Sequence, residues 1–227
     1  MPTVKTAKRP TVTGHEMLSR YVTNKPKQLK TKICKAMNAG GVVWRHQDHP
    51  TIDSPDICTW DGLSFLGNGK AKTAWETLWQ GSDAPCLKWD AIGRVQIGTV
   101  GWNWLLVSAM THVDEMLPQA SKRLPHISPA MVTHLSNAKR KFKVQDNVDW
   151  PASSQYVQQL AALAFLREHG VCVQMLNITF LGLPETGTGC SDGTTWKKAI
   201  ISSFDTLGLS CNTPVWNRTH RLMLPVI

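Results

Sequence analysis

Apolar residues recur at three-to-four spacing through much of the chain, and this spacing predicts helices. Met17, Leu18, Tyr21 and Val22 form one short stripe, and Leu29, Ile33 and Met37 form a second. Pro26 opens the second stripe, and the Asn38–Gly41 stretch ends it. Trp75, Leu78 and Trp79 mark a third helix, with Gly81 as its stop. Ile97, Val100, Trp104, Leu105, Ala109 and Val113 give the most apolar stripe, read as a central core helix that ends at Pro118. Ser128 and Pro129 begin a further helix with Met131, Leu135 and Phe142 inward. Ser153 or Ser154 caps the clearest one, in which Val157, Leu160, Ala161 and Ala164 pack and which Gly170 ends. A last helix runs through "TTWKKAIISSFDTLG".

Extended pieces are fewer. "GGVVWRH" and "VCVQMLNITFLGLP" read as strands, and residues 47–69 read as loop. The expected fold class is therefore mainly α: a helical core of six or seven helices with a few short strands and extended N- and C-terminal arms. The expected organisation is a mobile basic arm over 1–13, a helical core over 14–212, possibly in two lobes, and a C-terminal arm over 213–227.

Composition supports a folded chain, with 42% hydrophobic and 18% charged residues over 227 positions. No run is long enough to span a membrane, and no signal-peptide pattern opens the chain, so a cytosolic setting, or a particle assembled in cytosol, is expected, with no membrane partner. The six cysteines include no C-x-x-C pair and read as reduced. Ten tryptophans stand against two tyrosines. This surplus calls for large buried areas, subunit contacts or base stacking.

Charge is unevenly placed within a net +9. The first 35 residues carry nine basic side chains against Glu16 alone. Residues 46–90 are net acidic, and the chain from Lys122 onward is basic again. Basic segments of this kind neutralise a polyanion, and an acidic middle offers a seat for a neighbouring copy's basic arm. The candidate nucleic-acid contacts are Lys27, Lys30 and Lys35, then Lys122 and Arg123, then Lys139, Arg140 and Lys143, then Lys197 and Lys198, and finally Arg218 and Arg221. Phe142 anchors its helix while Lys139, Arg140 and Lys143 face outward as one wall of a groove.

Chemistry is sparse. His46 and His49, flanked by Cys34 and Cys58, match no usual zinc spacing, so no metal is expected. No G-x-S-x-G turn and no acid–base carboxylate pair stands out, so no catalytic residue and no enzyme activity are expected. "FLGLPETGTGCSDGTTWKKAI" reads as strand, glycine-rich turn and helix. Gly187, Gly189 and Gly193 would aim N–H groups at a phosphate, Thr194 or Thr195 would cap the helix, and Lys197 and Lys198 would lie in its first turn. The P-loop pattern is absent and no cofactor is implied. Asn177 and Asn217 head glycosylation sequons that an unsecreted chain would not use.

The stretch "GRVQIGTVGWNWLLVSAMTHVDEMLP" resembles the central helix of phlebovirus-type nucleoproteins through Arg94-Val95, Gly101-Trp102, Leu106-Val107 and Leu117-Pro118. "VGWNW" also resembles the Trp-containing helix of flexible filamentous plant-virus coat proteins. The resemblance spans about a tenth of the chain and carries no functional residue with it. What it implies is a viral nucleocapsid or coat subunit that coats single-stranded RNA without sequence specificity and binds copies of itself through its arms and the acidic 46–90 region. Two other readings stand beside this one: a non-polymerising component of a ribonucleoprotein such as an organellar ribosome, and an enzyme that uses the Gly187–Gly193 loop on a nucleotide.

Overall fold

The structure is a computed structural model, which describes residues 12–49, 52–82, 84–99, 101–116, 127–182, 192–214 and 216–227. Helices are α1 (Gly14–Asn24), α2 (Pro26–Met37), α3 (Lys70–Leu78), α4 (Pro129–Lys141), α5 (Gln155–Glu168) and α6 (Gly193–Leu207). Strands are β1 (Ala39–Arg45), β2 (Trp60–Asp61), β3 (Lys88–Trp89), β4 (Ala91–Ile97), β5 (Trp102–Met110), β6 (Val173–Leu181) and β7 (Thr219–Pro225). Five of the strands form one curled mixed sheet in the order β1-β4-β5-β6-β7. The pairs β1–β4 and β4–β5 are antiparallel, while β5, β6 and β7 are mutually parallel. Strand accounts for 23% of the chain, so the protein is a layered α/β structure and not the mainly helical one that the periodicity predicts.

The main correction falls on the expected central helix. Its residues form β4 and β5, an antiparallel pair joined across Gly98 and Gly101, both at positive φ (64° and 146°). From Leu105 to Met110 β5 is buried on both faces. A strand covered on both sides shows a continuous apolar run with no alternation, and such a run contains three-to-four spacings by chance. The turn glycines carried the strand signal. The C-terminal segment, expected as an arm outside the core, instead enters the sheet as β7, paired in parallel with β6 from Met175–Thr219 to Leu181–Pro225.

The two sheet faces bury separate cores. On one, α1 and α2 set Met17, Leu18, Tyr21, Leu29 and Ile33 against Val42, Trp44, Val95, Leu105, Val107 and Ile178. α2 packs on both edge strands, β1 and β7, and covers the gap that the curl leaves between them. On the other, α3 to α6 set Trp75, Leu135, Leu160, Phe165 and Trp196 against Ile92, Leu106, Val173 and Met175. Helix ends follow the sequence signals. Thr13 and Glu16 make a reciprocal capping box on α1, Ser128 caps α4, and Ser154 caps α5.

Candidate nucleic-acid interface

α2 explains its own surface. Burial of Leu29, Ile33 and Met37 turns Lys27, Lys32 and Lys35 outward, and Lys30 with them. Lys30 pairs with Asp53 at 2.7 Å. Lys27, Lys32 and Lys35 have no ion pair among the described residues.

The helix ends at Asn38, in the left-handed conformation, and β1 starts one residue later. Here two glycines matter. β1 shifts register between Ala39 and Gly41, and a side chain at Gly41 would reach 3.4 Å from Cη2 of Trp102. Without one, the indole lies across the β1 edge, at the level of the Gly41–Gln96–Trp102 register row. Trp102 is 42% exposed, so the helical cover stops short of it. The next row pairs Val43, Arg94 and Trp104. Arg94 donates to the Trp102 carbonyl at 2.8 Å and stacks its guanidinium 4.6 Å over the Trp104 ring. Its Nε is buried with no hydrogen-bond partner. Burial first, and Arg45 second, push the Arg94 pKa down. Two guanidinium groups thus share one sheet face with no carboxylate ion pair among the described residues. An exposed indole beside unpaired arginines can stack a base and hold a phosphate.

The residues expected from sequence divide sharply. Lys27, Lys30 and Lys35 come together on α2. Lys139, Arg140 and Lys143 lie at the end of α4, across the sheet from α2 and on the face that also carries Arg94 and Trp102. Phe142 is fully buried there. Lys139 donates to the Asp146 carbonyl at 2.8 Å, and Arg140 donates to Asn137. Lys197 and Lys198 are exposed in the second turn of α6. The cap of α6 is Asp192 in place of Thr194 or Thr195: its carboxylate accepts the N–H groups of both threonines, at 2.7 and 2.8 Å. Those donors are the ones a phosphate would take. Arg221 is held between rings, 4.3 Å from Phe204 and 4.8 Å from Trp216, and Arg218 precedes it in a short turn. Lys122, Arg123, Gly187, Gly189 and residues 1–11 lie outside the described residues.

The acidic middle is partly spent within the chain, on Asp53–Lys30 and on the Lys72–Glu76 pair along α3. Among the described residues no three His, Cys, Asp or Glu side chains converge as a metal site, and no helix is long and apolar enough to cross a membrane. Trp102, Arg45 and Arg94 were missed in the sequence because a helical reading of 97–113 hides which residues share a face. The tryptophan surplus was the available signal.

No family model, curated protein or solved structure matches the chain.

Proposed function

We propose that the protein binds single-stranded RNA without reading its sequence, by stacking a base on Trp102 and holding the backbone with Arg45, Arg94 and the lysines of α2. The observation that carries this reading is the exposed Trp102 ring beside two arginines that have no ion pair among the described residues. β1 is the edge strand between the two parts: α2 covers the face of Val42 and Trp44, and Trp102, Arg94 and Arg45 share the opposite face with Gly41 and Val43, so a strand of RNA would pass around this edge. A curled sheet that offers an aromatic ring and guanidinium groups recognises bases by their faces, which all four share, and phosphates by charge. Lys27 and Lys35 supply further positive charge beyond the β1 edge, on the α2 side of the sheet. The nucleocapsid role suggested by the sequence resemblance is a narrower version of this reading. It requires self-assembly, for which the acidic segment gives weaker support than its residue count implied.

The test is filter binding of an unstructured RNA across a salt series. Trp102→Ala should weaken binding about tenfold, the scale of one lost base stack. Arg45→Ala should flatten the dependence of log K on log salt by roughly 0.7. Both side chains lie outside the buried cores, so folding should be retained. Unchanged affinity and slope in both variants would overturn the proposal.

A further inference from the structure

A second site lies at the opposite end of β5. The carboxyl ends of parallel strands, where helices start and strand backbones run out, are the usual ligand position of an α/β sheet. There, between the end of β5, the start of α1 and the start of α5, is a cavity of about 450 Å³. Its wall includes Asp90, Asp114 and Glu115, and Lys88 is its one basic residue among the described residues.

The polar groups of this wall are fixed in place. Asp90 Oδ2 accepts the Ala109 N–H at 2.7 Å. Glu115 Oε1 accepts the N–H groups of Thr111 and His112, both at 2.8 Å, and the Thr111 hydroxyl at 3.3 Å. Gln159 Nε2 donates to the Lys88 carbonyl at 2.9 Å. A carbonyl can only accept, so this bond settles which way the Gln159 amide faces. The atom left over is Oε1, an acceptor, and it is buried with no partner. Gln159 is 1% exposed and lines the cavity. Tyr156 lines it too, and its buried hydroxyl is likewise unpartnered. Behind them, Ser108 of the wall is in register with Asn177, whose buried amide lacks partners at both its oxygen and its nitrogen. Buried polar atoms without partners are rare, and here they cluster at one cavity.

We infer that this cavity binds a small organic cation carrying N–H donors, an amine or a guanidinium. The acceptors are already positioned, so binding requires little reordering of the wall. A phosphate or carboxylate would meet two or three carboxylates and one lysine, and is disfavoured by the same charges.

Calorimetric titration of the full chain with agmatine, which carries an amine at one end and a guanidinium at the other, tests this. Saturable binding is expected. Asp114 is exposed, so Asp114→Lys should leave the fold intact and weaken binding at least tenfold. Asp90→Asn should weaken it as well, and Trp102→Ala should not, which separates this site from the RNA surface. Binding should also weaken as pH falls from about 7 to about 5. Burial raises the Asp90 pKa to about 6, and protonation removes its charge. The groups facing Asp90 are His15 from α1, Glu115 and Asp114 beyond β5, and Lys88 beside it. The absence of saturable agmatine binding, or binding that Asp114→Lys leaves unchanged, would overturn the inference. So would tighter binding of inorganic phosphate than of agmatine.

Discussion

Two buried ionisable side chains set the acid response of this protein, and they oppose each other. Burial lifts the Asp90 pKa from 3.8 to about 6 and lowers the His134 pKa from 6.5 to about 4. Between pH 4 and 6 the native Asp90 holds a proton that the unfolded chain releases. Its contribution is present below about 4 and is lost as pH rises through 6, a change of roughly 3 kcal/mol. His134 behaves in the reverse sense. The native ring stays neutral where the unfolded chain is protonated, so stability falls by a similar amount, roughly 3 kcal/mol, as pH drops from 6.5 to 4. These two contributions therefore offset each other across this window, and the lowered pKa values of Glu16, Asp192 and His220 leave a net loss of stability as pH falls. Single variants should reveal each slope. Asp90→Asn, which can still accept the Ala109 N–H, should be more stable than wild type at pH 7 and equal to it below pH 4. His134→Phe keeps a ring among Trp75, Trp79 and Phe165 and removes a buried Nε2 that has no partner. It should gain on wild type as pH falls below 6. Urea unfolding at a series of pH values measures both.

At the scale of elements, close approach decides how α1 sits on the sheet. A Cβ at Gly14 would lie 1.8 Å from the Ala109 carbonyl oxygen, a backbone atom that cannot rotate aside. Gly14→Ala must push the helix start away from β5, and should cost about 1–3 kcal/mol, read as a lower thermal midpoint. The existence of all six helices, the caps of α4 and α5 and the Pro positions of α2 and α4 were legible because those signals are local. Ser128 and Pro129 mark α4, and Leu29 and Ile33 mark the inner face of α2, without reference to any other element. β5 was misread because its neighbours, α1 on one face and α5 on the other, erase the alternation by which a strand is recognised. The sequon at Asn177 illustrates the same loss. Set aside in the sequence as unused, its two polar residues, Asn177 and Thr179, lie two positions apart on β6 and share one buried face with Ser108.

Across the whole molecule, the sheet separates the basic residues into two sets. α2 lies on one side, where Lys27, Lys32 and Lys35 have no ion pair among the described residues and Lys30 pairs with Asp53. α4 lies on the other, where Lys139 and Arg140 already bond within the chain. Replacing Lys27 and Lys35 with Ala should lower the salt slope of RNA binding by roughly 1.4 and leave the thermal midpoint within about 1 °C, since both side chains are exposed. Replacing Lys139, Arg140 and Lys143 should leave the slope unchanged and lower stability instead. An equal loss of slope in the two sets would show that charge count, and not position, governs binding.

The sequence by itself determined the six helices that form, the caps of α4 and α5, the inward Phe142 and the excess of positive charge over the first 35 residues. Each of these follows from residues within a few positions of one another. Only the tertiary structure decided that 91–110 is a hairpin, that the last residues close the sheet as β7, and that Trp102, Arg94 and Arg45 share a face. It also placed Asp90, Glu115 and Gln159 around one cavity, although they lie in separate elements of the chain. These features depend on pairing between distant strands, where register fixes which side chains meet, and register is a property of the folded sheet and of no single segment.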